Sequence, residues 1–409
     1  MSNAHASADI SRWEDIPFTV AEEYVKKLQR RIANSQYHLQ FDKVSTCQQI
    51  LVHSFYAKAL AVKAVTLNKG KNTAGVDGVV WDTPEKKYAA IFDLNRRGYK
   101  PQPLKRVFIP KYNGSKRPLG IPTMKDRAMQ TLYKFALEPI AEICGDINSF
   151  GFRAGRSAKD TITLCEGILS GNLAFEWILK CDIESCFDNI SHDWILTHIP
   201  LDKSILQKFI QSGYIENSIY HPTSNGIPQG GCLSGIFCNM TLDGLENKLL
   251  GVCDNIQFIR YADDFIIISD DKNLLSDTVM NTTSSFLAER GLRLSERKTS
   301  IIHIEDGFDF LGWNVRRYGD DIYLKPSEQN INQLFYKVSA ILTSDKEGSY
   351  ENLRCALRRC VAGWINYHKG IVVDYSLYDV EYDLVSFVYG LTNDSVLASD
   401  IGASFFQIR

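Results

Sequence analysis

The apolar positions near the N-terminus recur at helical spacing. Val25, Leu28 and Ile32 share one face, and Lys26, Lys27, Arg30 and Arg31 cover the other. Thr19 followed by Glu22 predicts a capping box at the start of this helix, after a loose tail of about a dozen residues. A second helix is expected over 47–65, and Thr73-Ala-Gly-Val-Asp-Gly78 reads as a loop or turn. Basic, proline-punctuated segments at 104–110 and 117–121 flank Asn113-Gly114, which predicts a β-hairpin. A helix is predicted over 124–143. Apolar runs at 177–183 and 258–269 read as buried strands, the second broken by Asp263-Asp264 into two strands joined by a tight turn. An amphipathic helix over 277–290 carries Val279, Thr283, Phe286 and Leu287 and should stop at Gly291. Helical periodicity dominates 327–370, and no internal repeat is present.

Composition narrows the class. The 409 residues suffice for two or three packed units. Gly and Pro total 39, too few for a disordered or collagen-like chain. No apolar run is long enough to span a bilayer, and the first residues lack a basic segment followed by an apolar one, so neither a membrane span nor a secretory signal is expected. None of the ten cysteines forms a CxxC pair, and no His stands at zinc-ligand spacing beside them. Reduced thiols and a cytoplasmic location are expected. The net charge of −2 argues against a protein that simply coats nucleic acid. The distribution is uneven, however: residues 94–134 hold eleven bases against one acid, and the segment after Ile371 is acidic. A basic run is as often a solvated face as a nucleic-acid surface, so the decision falls to the chemistry downstream.

Three carboxylates stand in apolar surroundings: Asp182 within WILKCDIESCF, and Asp263-Asp264 within FIRYADDFIII. A buried carboxylate is costly unless it is paired or binds a cation, and two adjacent ones at a hairpin tip repel each other. An isolated Asp-Asp is most often a solvated turn, but here apolar residues flank both sides. Hard oxygen ligands suit Mg²⁺, and two such ions about 3.5–4 Å apart clamp the attacking and leaving oxygens of a phosphoryl transfer.

Tyr261-Ala-Asp-Asp264 resembles the YxDD hairpin of reverse transcriptases, and Asp182-Ile-Glu-Ser-Cys-Phe187 resembles the first carboxylate strand of the same palm. The remaining motifs follow in the family's order. Phe108-Ile-Pro-Lys111 and Lys116-Arg-Pro-Leu-Gly-Ile-Pro122 resemble the fingers motifs, and Ser149-Phe-Gly-Phe-Arg-Ala-Gly-Arg-Ser157 the block before the palm. Gly226-Ile-Pro-Gln-Gly-Gly-Cys-Leu-Ser234 resembles the PQG turn, 294–299 the Lys-Thr segment, and Phe310-Leu-Gly-Trp313 the primer grip. The TAGVDG loop, Phe187-Asp-Asn-Ile-Ser-His192 and Gly363-Trp-Ile-Asn-Tyr367 are most similar to the group II intron lineage. The chain departs from that lineage in its mildly acidic charge, in Ser234-Gly235 where intron enzymes carry Ser-Pro, and in stopping soon after the thumb-like helices. The resemblance is therefore to free-standing bacterial types such as defence-associated reverse transcriptases.

The resemblance implies an α+β right-hand polymerase fold: an N-terminal helical extension (1–70), fingers and palm with an antiparallel sheet and the YxDD hairpin (71–320), and an α-helical thumb with a C-terminal segment (321–409). It implies RNA-directed DNA synthesis with Asp182, Asp263 and Asp264 holding two Mg²⁺ ions (Mn²⁺ able to substitute), helped by the Ile183 carbonyl. Lys111 and Arg117 would grip the incoming dNTP, Phe187 would act as a steric gate under its sugar, and Gln229 would contact nucleotide or template. Phe310, Leu311 and Gly312 would seat the primer end. Arg153 and Arg156 would touch the template strand or buttress the palm. Trp364 and Tyr367 read as helix core ahead of stacking platforms, and His192 as structural. Expected partners are an RNA template, most simply a structured noncoding RNA, with dNTPs and a DNA product; no membrane is expected and the oligomeric state is open. Open beside the antiviral reading stand a reduced intron maturase, a repair polymerase and a non-catalytic RNA-binding protein.

Overall fold

The computed structural model describes residues 10–110, 114–344, 349–372 and 374–406. Three helices, α1 (Phe18–Tyr37), α2 (Phe41–His53) and α3 (Phe55–Leu67), open the chain, followed by α4 (Pro84–Asp93). Pro17 occupies the N-cap of α1 without a side-chain cap, so the helix begins before Thr19 and the expected capping box does not form. Glu22 instead pairs with Lys63 of α3 at 3.1 Å. The single helix expected over 47–65 is two helices bent by 66°. Ser54 breaks it, its hydroxyl accepting from the Ala57 amide and capping α3.

Strands β1 (Leu104–Pro110) and β2 (Lys116–Ile121) form the predicted hairpin. Helices α5 (Met124–Cys144) and α6 (Ala158–Gly171), strand β3 (Trp177–Cys181), the short helices α7 (Cys186–Asn189), α8 (His192–His198) and α9 (Lys203–Ile210), and strands β4 (Tyr214–Glu216) and β5 (Ile219–His221) follow. β4 runs parallel beside β1, giving a sheet of order β2-β1-β4-β5. Then come α10 (Ser234–Leu242), α11 (Leu245–Leu250), β6 (Ile256–Tyr261) and β7 (Asp264–Ser269). The predicted amphipathic helix starts earlier than expected, as α12 (Lys272–Leu274), a π-helical turn over Leu275–Val279 and α13 (Met280–Ala288). It does end before Gly291, whose φ is +75°. Strands β8 (Ser300–His303), β9 (Phe308–Phe310), β10 (Trp313–Tyr318) and β11 (Asp321–Pro326) precede four closing helices: α14 (Glu328–Ser344), α15 (Tyr350–His368), α16 (Asp374–Thr392) and α17 (Ser395–Phe406).

The central sheet has the order β6-β7-β3-β8 with antiparallel pairing throughout. The inner strand β7 is apolar from Phe265 to Ile268 because both faces of the sheet are covered there. Along β7, Phe265 and Ile267 enter the core shared with α1–α3 and α5, while Ile266 and Ile268 enter one shared with α6 and the β9–β11 sheet. A third core, including Leu334, Val361, Leu384 and Ile401, unites the four closing helices. No single helix among the described residues is long and apolar enough to cross a membrane.

Candidate active site

The sheet register gathers the carboxylates. Cys181 at the end of β3 pairs with Phe265 of β7, so the next step of that antiparallel register brings Asp182 toward Asp264. Tyr261 pairs with Asp264 across the β6–β7 turn, leaving Ala262 and Asp263 as its two loop residues, with Ala262 at φ +57°. The turn is thus one residue earlier than the sequence suggested, and Asp264 opens β7. Burial holds Asp263 above the usual carboxylate range; Asp182 adds repulsion while Arg117 opposes the shift. Asp264 sits on the solvent-reached lip of the cleft, but protein on its other sides, with Asp263 and Asp182, pushes its pKa to about 6. Lys298 places its Nζ 3.2 Å from both oxygens of Asp182. Backbone bonds from Ser295 N to the Asp182 carbonyl (2.8 Å) and a bridge between Ile183 and Leu294 fix the chain beyond β3.

Arg260 anchors the turn from beneath. Its fully buried guanidinium donates to Asp243, to Asn239 Oδ1 and to the Ala262 carbonyl (both 3.3 Å), and lies 3.5 Å from Asp146. The 149–157 segment lies against the same turn. A Cβ on Gly151 would fall 2.5 Å from the Ala262 amide nitrogen, so only glycine fits this approach. Arg153 pairs with Glu142 and donates to the carbonyls of Asp146, Ser149 and Glu142, and Arg156 donates to those of Ile147 and Ser149. These bonds tie both arginines to the loop before the palm.

On the fingers side, Arg117 Nε donates to Gln229 Oε1 (3.4 Å) and Gln229 Nε2 donates to Asp188 (3.3 Å). The Gln229 carbonyl accepts from Gly120 N at 2.7 Å, joining the PQG turn to β2. Phe187, Asp188 and Gln229 line one cleft of about 370 Å³ with Arg106 and Phe108. Lys111 lies outside the described residues. His192 is buried and bonds the Gly226 carbonyl at 2.7 Å; burial lowers its pKa, so it is a neutral structural group.

A second cleft, of about 540 Å³, is lined by Asp182, Asp264 and Lys298 on one side and by Phe310, Leu311, Gly312, Asn330 and Tyr367 on the other. Leu311 and Gly312 have φ of +50° and +88°, a sharp left-handed turn. Tyr367 Oη donates to the Leu311 carbonyl at 2.7 Å and its ring stacks on buried Trp313. Asn330 Oδ1 accepts from Trp364 Nε1 (2.5 Å) and His368 Nε2 (3.0 Å). Tyr367 therefore ties α15 to this turn, and Trp364 ties it to α14 through Asn330. Arg260 and Asn330 were not singled out by the sequence, and Lys298 and Asp188 entered only as members of the 294–299 and 187–192 motifs, with no role given to them. Arg260, a charge inside an apolar strand beside the acidic pair, carried a legible signal; the others are recognised only through tertiary partners.

Among the described residues no group of three His, Cys, Asp or Glu side chains is gathered closely enough to hold a metal ion. The repulsion around Asp264, with hard oxygen donors from two adjacent strands opening on one cleft, nonetheless fits divalent ions that keep water and substrate oxygens as further ligands.

A family model described as "Reverse transcriptase (RNA-dependent DNA polymerase)" matches residues 109–315, and one described as "N-terminal domain of reverse transcriptase" matches 13–94. The chain is 30% identical to Protein YkfC of Escherichia coli strain K12 over 311 residues, covering 64% of this chain and 82% of that protein. It is 28% identical to the group II intron-encoded protein LtrA of Lactococcus lactis subsp. cremoris over 320 residues, covering 61% of this chain and 53% of that protein, so it spans about half of LtrA. Maturase-like protein 1 of Euglena gracilis is 26% identical, with 84% of this chain and 74% of that protein covered. Among solved structures, apo telomerase from Candida tropicalis superposes with a TM-score of 0.45 at 16% identity, over 77% of this chain and 63% of that chain.

Proposed function

The chain belongs to the reverse transcriptase family, and from that premise we propose that it extends a primer with dNTPs on an RNA template. The observation that carries this reading is the β3–β7 register, which brings Asp182 and the Asp263-Asp264 turn to one end of the sheet, opening on the cleft walled by Leu311 and Gly312. Asp182, Asp263 and Asp264, with the Ile183 carbonyl, would hold two Mg²⁺ or Mn²⁺ ions. Bound there, such ions activate the primer 3′-hydroxyl and neutralise charge on the triphosphate. The side chains do the rest by positioning. Arg117, with Lys111, binds the triphosphate; Gln229, held between Arg117 and Asp188, orients the nucleotide. Phe187 lies under the sugar and excludes a 2′-hydroxyl, and the Phe310-Leu311-Gly312 turn, fixed by Tyr367, seats the primer terminus. The 3′-oxygen then bonds the α-phosphorus as the bond to pyrophosphate breaks, and Arg153 and Arg156 keep the palm loop in register against the turn.

We further propose that the template is a dedicated structured noncoding RNA and that the enzyme works in the bacterial cytoplasm in antiviral defence. A net charge of −2 supports a compact RNA partner over a large ribozyme. Similarity to intron-encoded LtrA favours a second reading, an intron maturase acting in splicing and mobility. Sequencing the nucleic acid that copurifies with the protein separates them. A structured RNA with complementary DNA that disappears in the Asp263→Ala/Asp264→Ala variant is expected. A bound group II intron RNA would replace the defence reading with the maturase.

A further inference from the structure

Two helices near opposite ends of the chain, packed into different cores, carry outward stripes of opposite charge. α1 turns Val25, Leu28 and Ile32 inward. Its other face exposes Lys26, Lys27, Arg30 and Arg31, none of them in an ion pair or side-chain hydrogen bond among the described residues. Glu22 is taken up by Lys63, and Glu23 stands a turn ahead of the cations. The stripe runs on into Tyr37, Leu39 and Phe41, which are 70%, 68% and 61% exposed. Leu39 is held there at φ +56°, so a strained backbone presents this apolar corner to water. α16 has the opposite sign. Val380, Leu384 and Val388 enter the core of the closing helices, while Asp379, Tyr382, Asp383, Ser386 and Tyr389 recur at helical spacing on the exposed side. Tyr382 is 75% exposed, and neither aspartate is paired with a cation among the described residues. Leu391, 55% exposed, and Val396 at the start of α17, 58% exposed, end this stripe in apolar surface as well.

The stripes match in order and in spacing. Lys27 and Tyr37 are ten residues apart, as are Asp379 and Tyr389; Arg31 and Leu39 are eight apart, as are Asp383 and Leu391. With the helices side by side and parallel, Lys27 and Arg31 fall opposite Asp379 and Asp383, Arg30 opposite the Tyr382 ring, and Leu39 opposite Leu391. At 1.5 Å per residue the charged and apolar ends lie roughly 15 Å apart on both helices, so both contacts form together. Cations then meet carboxylates and an aromatic face, and the apolar corner leaves water. We propose that α1 of one copy docks along α16 of a second copy, so that the protein self-associates head to tail. The stripes occupy different places on one chain, so the contact is heterologous: each bound copy still offers one free stripe, and the assembly closes into a ring or grows as a filament. The acidic stripe repels a nucleic acid and suits a basic protein surface, and α1 of the same chain supplies one. Nothing in this pairing depends on the polymerase reading.

Sedimentation velocity of the nuclease-treated full-length protein over a wide concentration range tests the pairing. Wild type should associate as concentration rises, and at least tenfold more weakly at roughly 1 M salt, where the Debye length falls to about 3 Å. Lys27→Glu/Arg31→Glu and Asp379→Lys/Asp383→Lys, each checked for folding by circular dichroism, should each weaken association at least tenfold. Mixing the two variants sets glutamates on one α1 against lysines on the other's α16 and should restore it, as should all four changes in one chain. A wild type that stays monomeric, variants that associate like wild type, or a mixture and a fourfold variant that both fail to recover would overturn the proposal. Loss of single-stranded RNA binding by Lys27→Glu/Arg31→Glu with association unchanged would overturn it too, and would make the α1 stripe an RNA surface.

Discussion

Arg260→Met removes the cation that buried Asp146 and Asp243 face, and it also detaches the Ala262 carbonyl of the acidic turn. The guanidinium is fully buried and its partners at most one-tenth exposed, so solvent screening does not soften the loss. Breaking one side of such a pair costs about 3–5 kcal/mol, a large share of the roughly 5–15 kcal/mol that holds a typical domain. The pH dependence has a definite sign. Asp243 is already pushed up to about 6, chiefly by burial, with Arg260 the largest influence lowering it. Without Arg260 its folded pKa rises further. A carboxyl titrating higher in the folded state stabilises the fold below the unfolded value near 3.8 and loses that contribution as pH rises through the folded pKa. The deficit of the variant is therefore larger at pH 8 than at pH 5, by about 1.4 kcal/mol for each unit of added shift. Urea unfolding of both proteins at the two pH values measures it, and Arg260→Met/Asp243→Asn should flatten the difference. A loss under about 1 kcal/mol, or a deficit greater at pH 5, would refute the reasoning.

Gly151→Ala forces a methyl group into the Ala262 backbone; we expect about 1–3 kcal/mol of strain and about 100-fold slower primer extension from a displaced turn, with wild-type rates counting against that contact. His368 is buried and held down at about 3 from 6.5, chiefly by desolvation. Its lowered folded pKa makes its contribution complete above pH 6.5 and eroded on acidification, by about 2 kcal/mol at pH 5. His368→Gln should reduce the drop in unfolding free energy between pH 7 and pH 5 by that amount, and an unchanged drop would place the titration elsewhere. Phe187→Ala enlarges the 370 Å³ cleft that Phe187 lines; with Phe187 in its proposed role as steric gate, ribonucleotide incorporation measured against dNTPs should rise at least tenfold, and unaltered discrimination would remove Phe187 as the gate.

Much of the fold was legible because local signals and burial agreed. Phe265 to Ile268 of β7 are apolar in succession because both faces of the sheet are covered, and the acidic pair ahead of them marked the turn. The break at Ser54 was missed because apolar periodicity continues through it while one hydroxyl redirects the chain. Thr19 and Glu22 have the right spacing for a cap, but Pro17 starts the helix earlier and Lys63 offers Glu22 a tertiary partner. The three Asp positions were found by chemistry. The contact between Asp182 and Lys298 was not, because 116 residues of chain separate the two. The main-chain carbonyls of Asp146 and Ser149 that Arg153 meets are presented only by the folded loop, so no local sequence signal pointed to them.

Primer extension on poly(rA) annealed to oligo(dT), with dTTP and Mg²⁺, comparing wild type with Asp263→Ala/Asp264→Ala, tests the central claim most directly. The account predicts Mg²⁺-dependent DNA synthesis by wild type and none by the variant, with both proteins equally folded by circular dichroism. Synthesis retained by the folded variant would contradict the assignment of the active site.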